Sequence, residues 1–154
     1  MDSSLVIFLH SHRYDRLYQA ASMVLAASAM GWPCHLFLFH GALASYIEGT
    51  WDEPNIRSSL GEVPESTSTS PGPTTFPDWA KRLERGFEAG NFRSLYWLLE
   101  KAAGESGGLK ILACSASCRL LELDMKEVRE KVDEIVGLPT MIQITAGAKH
   151  SLYI

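Results

Sequence analysis

LVIFLHSHRYDRLYQAASMVLAASAMGWPCHLFLF, residues 5–39, decides the fold of this chain. Leu5-Val-Ile-Phe-Leu9 is an unbroken apolar run, the pattern of a strand buried on both faces. His10-Ser-His12 ends it. Across residues 13–30, Tyr14, Leu17, Ala21, Val24 and Leu25 recur at helical spacing, with the small Ser28 on the same face. Gly31 supplies a stop and Pro33 follows just beyond. His35-Leu-Phe-Leu-Phe39 is a second buried strand, closed by His40-Gly41. Strand, helix and strand within about forty residues make a βαβ unit, which requires a parallel pair and a right-handed crossover.

The same alternation continues after an interruption. The character changes over residues 50–77, where 62–77 hold Pro64, Pro71, Pro73 and Pro77 among serines and threonines and bury too little apolar surface to offset ordering entropy. A flexible insertion is expected there. Asp78 reads as the N-cap of a helix carrying Trp79, Leu83 and Phe87, and residues 92–103 read as another with Leu95, Leu98 and Leu99. Trp97 and its neighbour Tyr96 cannot share a helix face, so one of them is free for an oligomer contact. Gly107-Gly108 turns the chain into a third strand over residues 109–113. Asp124-Met-Lys-Glu127 is a capping-box pattern opening a helix with Val128, Val132, Ile135 and Val136 as its apolar stripe. Residues 140–145 are expected as a fourth strand and 151–154 as a fifth. The whole reads as one α/β domain, residues 1–154, with an open, mostly parallel sheet flanked by helices.

Composition removes several classes of function. A net charge of −4 with no basic stripe argues against nucleic-acid binding. Three cysteines are too few for a disulfide scaffold. Met-Asp-Ser-Ser lacks a cationic n-region, and the apolar stretch 20–39 is broken by Gly31, Pro33 and His35. No signal peptide or membrane span is expected, and a cytoplasmic, reducing setting follows. The loop after the first strand lacks the glycines of a nucleotide cradle, and a hydrolase elbow is missing.

In an open parallel sheet, ligands and chemistry gather beyond the carboxyl ends of the strands. Here those ends present His10, Ser11 and His12, then His40 and Gly41, then Cys114 and Ser115, then Thr145, Ala146 and Gly147. Cys114 stands at a strand-to-helix turn in Lys110-Ile-Leu-Ala-Cys-Ser-Ala-Ser-Cys118. Unpaired N–H groups at such a turn favour a thiolate, the form that attacks, carries sulfur or binds metal. Cys118 lies four residues on, the spacing of one helix face. His40 and His12 are candidate proton partners. Zinc held by Cys114, Cys118 and a histidine lacks a fourth ligand and is not expected. Cys34 begins the second strand at the opposite end and reads as core.

Three stretches, Leu5-Val-Ile-Phe-Leu9 with the helix ending Ala29-Met-Gly31, His35-Leu-Phe-Leu-Phe39 into His40-Gly41, and the strand-Cys-helix segment 110–118, together resemble the DsrE/DsrF/TusD-like family of small sulfur-relay proteins. The resemblance implies a flavodoxin-like fold and assembly into homo-oligomers, trimers or hexamers. It also implies a cysteine, here Cys114, that accepts sulfane sulfur as a persulfide from a donor protein and passes it to an acceptor protein. No cofactor or metal is implied. Cys118 stands where many relatives have no cysteine, as a second carrier or a resolving thiol, and the long insertion is atypical. Two other functions remain open: a Cys114/Cys118 dithiol redox protein, and a non-catalytic interaction or regulatory subunit.

Overall fold

Leu5–Leu9 (β1) is buried at all five positions, as its unbroken apolar run requires. The computed structural model describes residues 3–53, 82, 85–86 and 88–154. After β1 the chain forms α1 (Tyr14–Ala29), whose buried face is Tyr14, Leu17, Ala20, Ala21, Val24, Ala27 and Ser28. Gly31, at φ +80°, takes the left-handed turn that closes this helix and directs the chain into β2 (Cys34–Leu38). β1 and β2 pair in parallel from Leu5–Cys34 to Leu9–Leu38. The βαβ unit is therefore present as read.

Only Phe39, the N-cap, separates β2 from α2 (His40–Glu48), which ends at Gly49 in the left-handed region. The first residues of the segment expected as a flexible insertion are packed. Trp51 is fully buried, with Nε1 donating to the Ala42 carbonyl and to Ser45 Oγ, both at 3.1 Å. Asp52 accepts the Leu95 N–H at the start of α3 (Leu95–Gly104), where Ser94 is the N-cap. The remainder of that segment lies outside the described residues, as do Asp78, Trp79, Leu83 and Phe87; residues 82, 85, 86 and 88 are helical. Tyr96 turns inward and donates its hydroxyl to the Tyr46 carbonyl, while Trp97 stays at the surface between Arg93 and Lys101.

β3 (Leu109–Cys114) leads into α4 (Ser115–Leu120) and α5 (Met125–Lys131), which is capped by Asp124 Oδ1 on the Lys126 N–H at 2.8 Å. Here the structure corrects the sequence reading. The helix stops at Lys131, Ile135 and Val136 belong to β4 (Glu134–Val136), and residues 140–145 lie within α6 (Leu138–Ala146) instead of a strand. Pro139 explains the inversion, because it occupies the first turn of α6, where its missing N–H has no helical partner to lose. Thr145 Oγ1 donates to the Met141 carbonyl at 2.7 Å, so a β-branched residue finds a bond inside the helix. β5 (His150–Tyr153) pairs in parallel with the far side of β1.

All five strands are parallel, in the order β4-β3-β2-β1-β5, and with helices on both faces they form an open, flavodoxin-like α/β sheet. The first three crossovers move one way across the sheet and the fourth returns. A right-handed return places its helix on the opposite face. The two cores follow. Leu5, Ile7, Leu9, Leu36, Leu38 and Ala113 pack with buried residues of α1 to α5. Val6, Phe8, Phe37, Phe39, Leu112, Cys114 and Val136 form the second cluster, with Met141 of α6.

Candidate functional site

Reversal of the strand order makes the carboxyl ends of β3 and β4 the topological switch point of the sheet, because β3 leaves toward one face and β4 toward the other. The last residue pair across that boundary is Cys114–Val136. Gly137, which opens α6, lies so close to the start of α4 that a Cβ on it would stand 3.8 Å from Ser115 Oγ. Cys114 thus ends its strand beside the switch point. Residues 145–147, expected at this rim as the end of a strand, lie instead at the far end of α6.

Cys114 is the N-cap of α4, and its side chain follows strand alternation to the Leu112 side of the sheet, 3% exposed. Its sulfur makes no hydrogen bond among the described residues. Cys118, within α4, is turned into the main core instead. Burial pushes its thiol upward, and the nearby Cys114 adds to that shift. The two thiols are free and belong to different apolar clusters, because Cys114 still has strand geometry where Cys118 is helical. Cys34 is buried core, its thiol pushed up to about 11 by burial and pointed at the Trp32 carbonyl 3.2 Å away.

The imidazoles gather at the neighbouring ends of β1 and β2. His40 takes φ +40°, unusual for a residue other than glycine, and is fixed there by Ser117. Its N–H donates to Ser117 Oγ at 3.1 Å, and its Nδ1 lies 3.3 Å from the same oxygen. Ser117 is fully buried, one turn into α4 from Cys114. His12 packs over Gly41, where a Cβ would come within 2.9 Å of its Nδ1. His10 stacks on Phe39 with ring centres 4.4 Å apart and lies 5.9 Å from the His40 ring. Burial, and then the proximity of His40, lowers the pKa of His10.

Three exposed imidazoles and one buried thiol therefore share a rim, linked through Ser117. His40 hydrogen-bonds to Ser117 and not to Cys114, so it reaches the thiol's neighbourhood through α4. Ser117 is the residue that reading the chain did not single out as His40's partner. The two are 77 positions apart, and no local pattern connects a serine in one helix to the backbone opening another. Among the described residues, no group of three His, Cys, Asp or Glu side chains is placed to hold a metal ion. No helix of the described residues is long and apolar enough to cross a membrane. The arrangement brings a thiol at the end of β3 and imidazoles at the ends of β1 and β2 to one edge of the sheet. No protein-family model matches the chain, and neither does any curated protein.

Proposed function

We propose that this chain is a sulfur-relay protein in which Cys114 carries sulfane sulfur. The observation that supports the reading is the position of Cys114 itself, the N-cap of α4 beside the β3/β4 switch point. The segment 110–118 is also one of the three stretches whose order and spacing carry the resemblance to the DsrE/DsrF/TusD-like family. In the first step the Cys114 thiolate attacks the outer sulfur of a donor persulfide, R–S–SH. A new S–S bond forms, the donor's S–S bond breaks, and the donor leaves as R–S⁻. In the second step an acceptor thiolate attacks the outer sulfur of Cys114–S–SH and regenerates the Cys114 thiolate. No electrons are gained or lost overall, so neither step calls for a redox cofactor.

His12 and His40 serve the relay as proton exchangers at the rim, and donor and acceptor are protein partners that meet it there. A homo-oligomer, trimer or hexamer, and a cytoplasmic setting complete the reading. Cys118 is assigned to the core and not to the transfer, because it is turned into the main apolar cluster on the other side of the sheet from Cys114 and its thiol pKa is raised. That assignment sets the relay against a dithiol redox protein, which requires the two sulfurs to meet.

Site mapping tests the proposal. The reduced protein is loaded with polysulfide, alkylated, digested and sequenced by mass. A persulfide adduct on the Cys114 peptide is expected. A Cys114–Cys118 disulfide as the main product favours the dithiol protein, and three unmodified cysteines favour an interaction subunit.

A further inference from the structure

Cys114 is 3% exposed, and the helix that shares its apolar cluster is held weakly. Cys114 lies in the smaller apolar cluster, on the face where α6 is the only helix among the described residues. Met141, 1% exposed, is the one fully buried side chain that α6 contributes; Ile144 packs only partly. Leu138 and Ile142 of the same helix are 57% and 67% exposed. A largely apolar cavity of about 370 Å³ opens between α6 and the β1–β5 edge, lined by Phe8, Met141, Ile142, Thr145 and Tyr153 among others. This groove is open to solvent, so on that side α6 has water and not protein against it.

The sequence of α6 adds to this. Four of its nine residues, Thr140, Ile142, Ile144 and Thr145, are β-branched and poor helix formers. Its N-cap is Gly137, which offers no side-chain oxygen to the first N–H groups. A nine-residue helix has little intrinsic stability to spare and depends on tertiary packing. Here that packing rests on Met141. At its start, Gly137 stands beside Ser115, next to Cys114. Glycines at 137 and 147 flank the helix.

We infer that α6 is a lid over Cys114, latched by Met141, whose local detachment from the sheet exposes the thiol while the rest of the domain stays folded. Elements with few buried contacts open below the global unfolding free energy. The lid protects a reactive sulfur between encounters and presents Leu138 and Ile142 outward, where an arriving protein surface meets them first. Its use in sulfur transfer rests on the function proposed above. The opening does not, and it is measured without any persulfide.

The experiment is thiol labelling of the folded protein with iodoacetamide in increasing urea, with rates resolved for Cys34, Cys114 and Cys118 by peptide mass. Cys34 and Cys118 sit in the main core and report its unfolding. The comparison uses urea slopes, which differences in thiol acidity leave untouched. Cys114 is expected to label with a shallow slope at low urea, and Cys34 and Cys118 with the steep slope of global unfolding. Ile142→Gly, at an exposed position, is expected to label Cys114 about fivefold faster than Ile142→Ala, with Cys34 changed far less. Met141→Ala is expected to speed Cys114 by about thirtyfold or more. A Cys114 slope equal to that of Cys34 overturns the lid, because it shows only global unfolding. So does labelling of Cys114 at the rate of an unfolded peptide, or Ile142 variants that leave its rate unchanged.

Discussion

Ser117→Ala tests the link between the imidazole rim and the cysteine-bearing helix. The wild-type hydroxyl is fully buried and accepts the His40 N–H at 3.1 Å. Alanine removes the acceptor without adding volume, leaving that N–H unpaired at a partly buried site. Such a loss costs about 1–3 kcal/mol, more than the roughly 1 kcal/mol net of an ordinary hydrogen bond, because the orphaned donor keeps its desolvation penalty. His40 also holds φ +40°, which disfavours a residue with a Cβ by roughly 1 kcal/mol, and Ser117 is what holds it there. Freed from Ser117, His40 relaxes and recovers part of that strain. A net loss of roughly 1–2 kcal/mol is therefore expected. At about 2 kcal/mol per molar of urea, typical for a small domain, the unfolding midpoint falls by roughly 0.5–1 M with an unchanged slope. The assay is urea unfolding followed by circular dichroism, with amide NMR on the folded protein. The His40 and Gly41 amide resonances are expected to move most. A midpoint within about 0.1 M of wild type, or unmoved His40 resonances, refutes the role given to Ser117.

Two further outcomes follow from the same structure. Gly107→Ala places a Cβ 2.2 Å from the Trp32 carbonyl oxygen and 2.7 Å from its nitrogen, both backbone atoms that cannot rotate away. It is expected to lose about 2–3 kcal/mol in urea unfolding, and a wild-type midpoint contradicts the packing of that turn. Stability is expected to fall as pH drops from 8 toward 5.5, since burial lowers the pKa of both His10 and His35 in the folded protein. Below the unfolded histidine value of about 6.5 the unfolded chain binds more protons, so the stabilisation is fully present above it and is lost on acidification. His35→Gln should flatten that decline in urea midpoints measured across the range; an unaltered pH dependence sets the reasoning aside.

Legibility tracked how local the determining physics was. β1, α1 and β2 could be read directly, because a doubly buried parallel strand shows as an apolar run and α1 shows its face every third or fourth residue. Cys114 at the end of β3 was legible for the same reason. The region after Lys131 was not. β4 is only three residues long, too short to show a period, and it absorbed Ile135 and Val136 that matched a helical stripe. The Ile- and Thr-rich run 140–145 looked like a strand by propensity, whereas Pro139 and the need for a return crossover made it α6. That exchange moved the β4 end of the rim from residues 145–147 to Gly137. The histidines were visible as strand-end residues, but the Ser117–His40 pairing was not, since it depends on two helix starts meeting in space. The opposite destinations of Cys114 and Cys118 were likewise hidden, because spacing alone does not say where a strand gives way to a helix.

The most direct measurement is the intact mass of the protein after exposure to polysulfide and desalting, followed by a chase with cyanide, which accepts sulfane sulfur. Wild type and Cys118→Ser are compared with Cys114→Ser. A gain of one sulfur atom is expected on wild type and Cys118→Ser, with its loss on the chase and no gain on Cys114→Ser. An unmodified wild-type protein, or the same adduct on Cys114→Ser, contradicts Cys114 as the carrier.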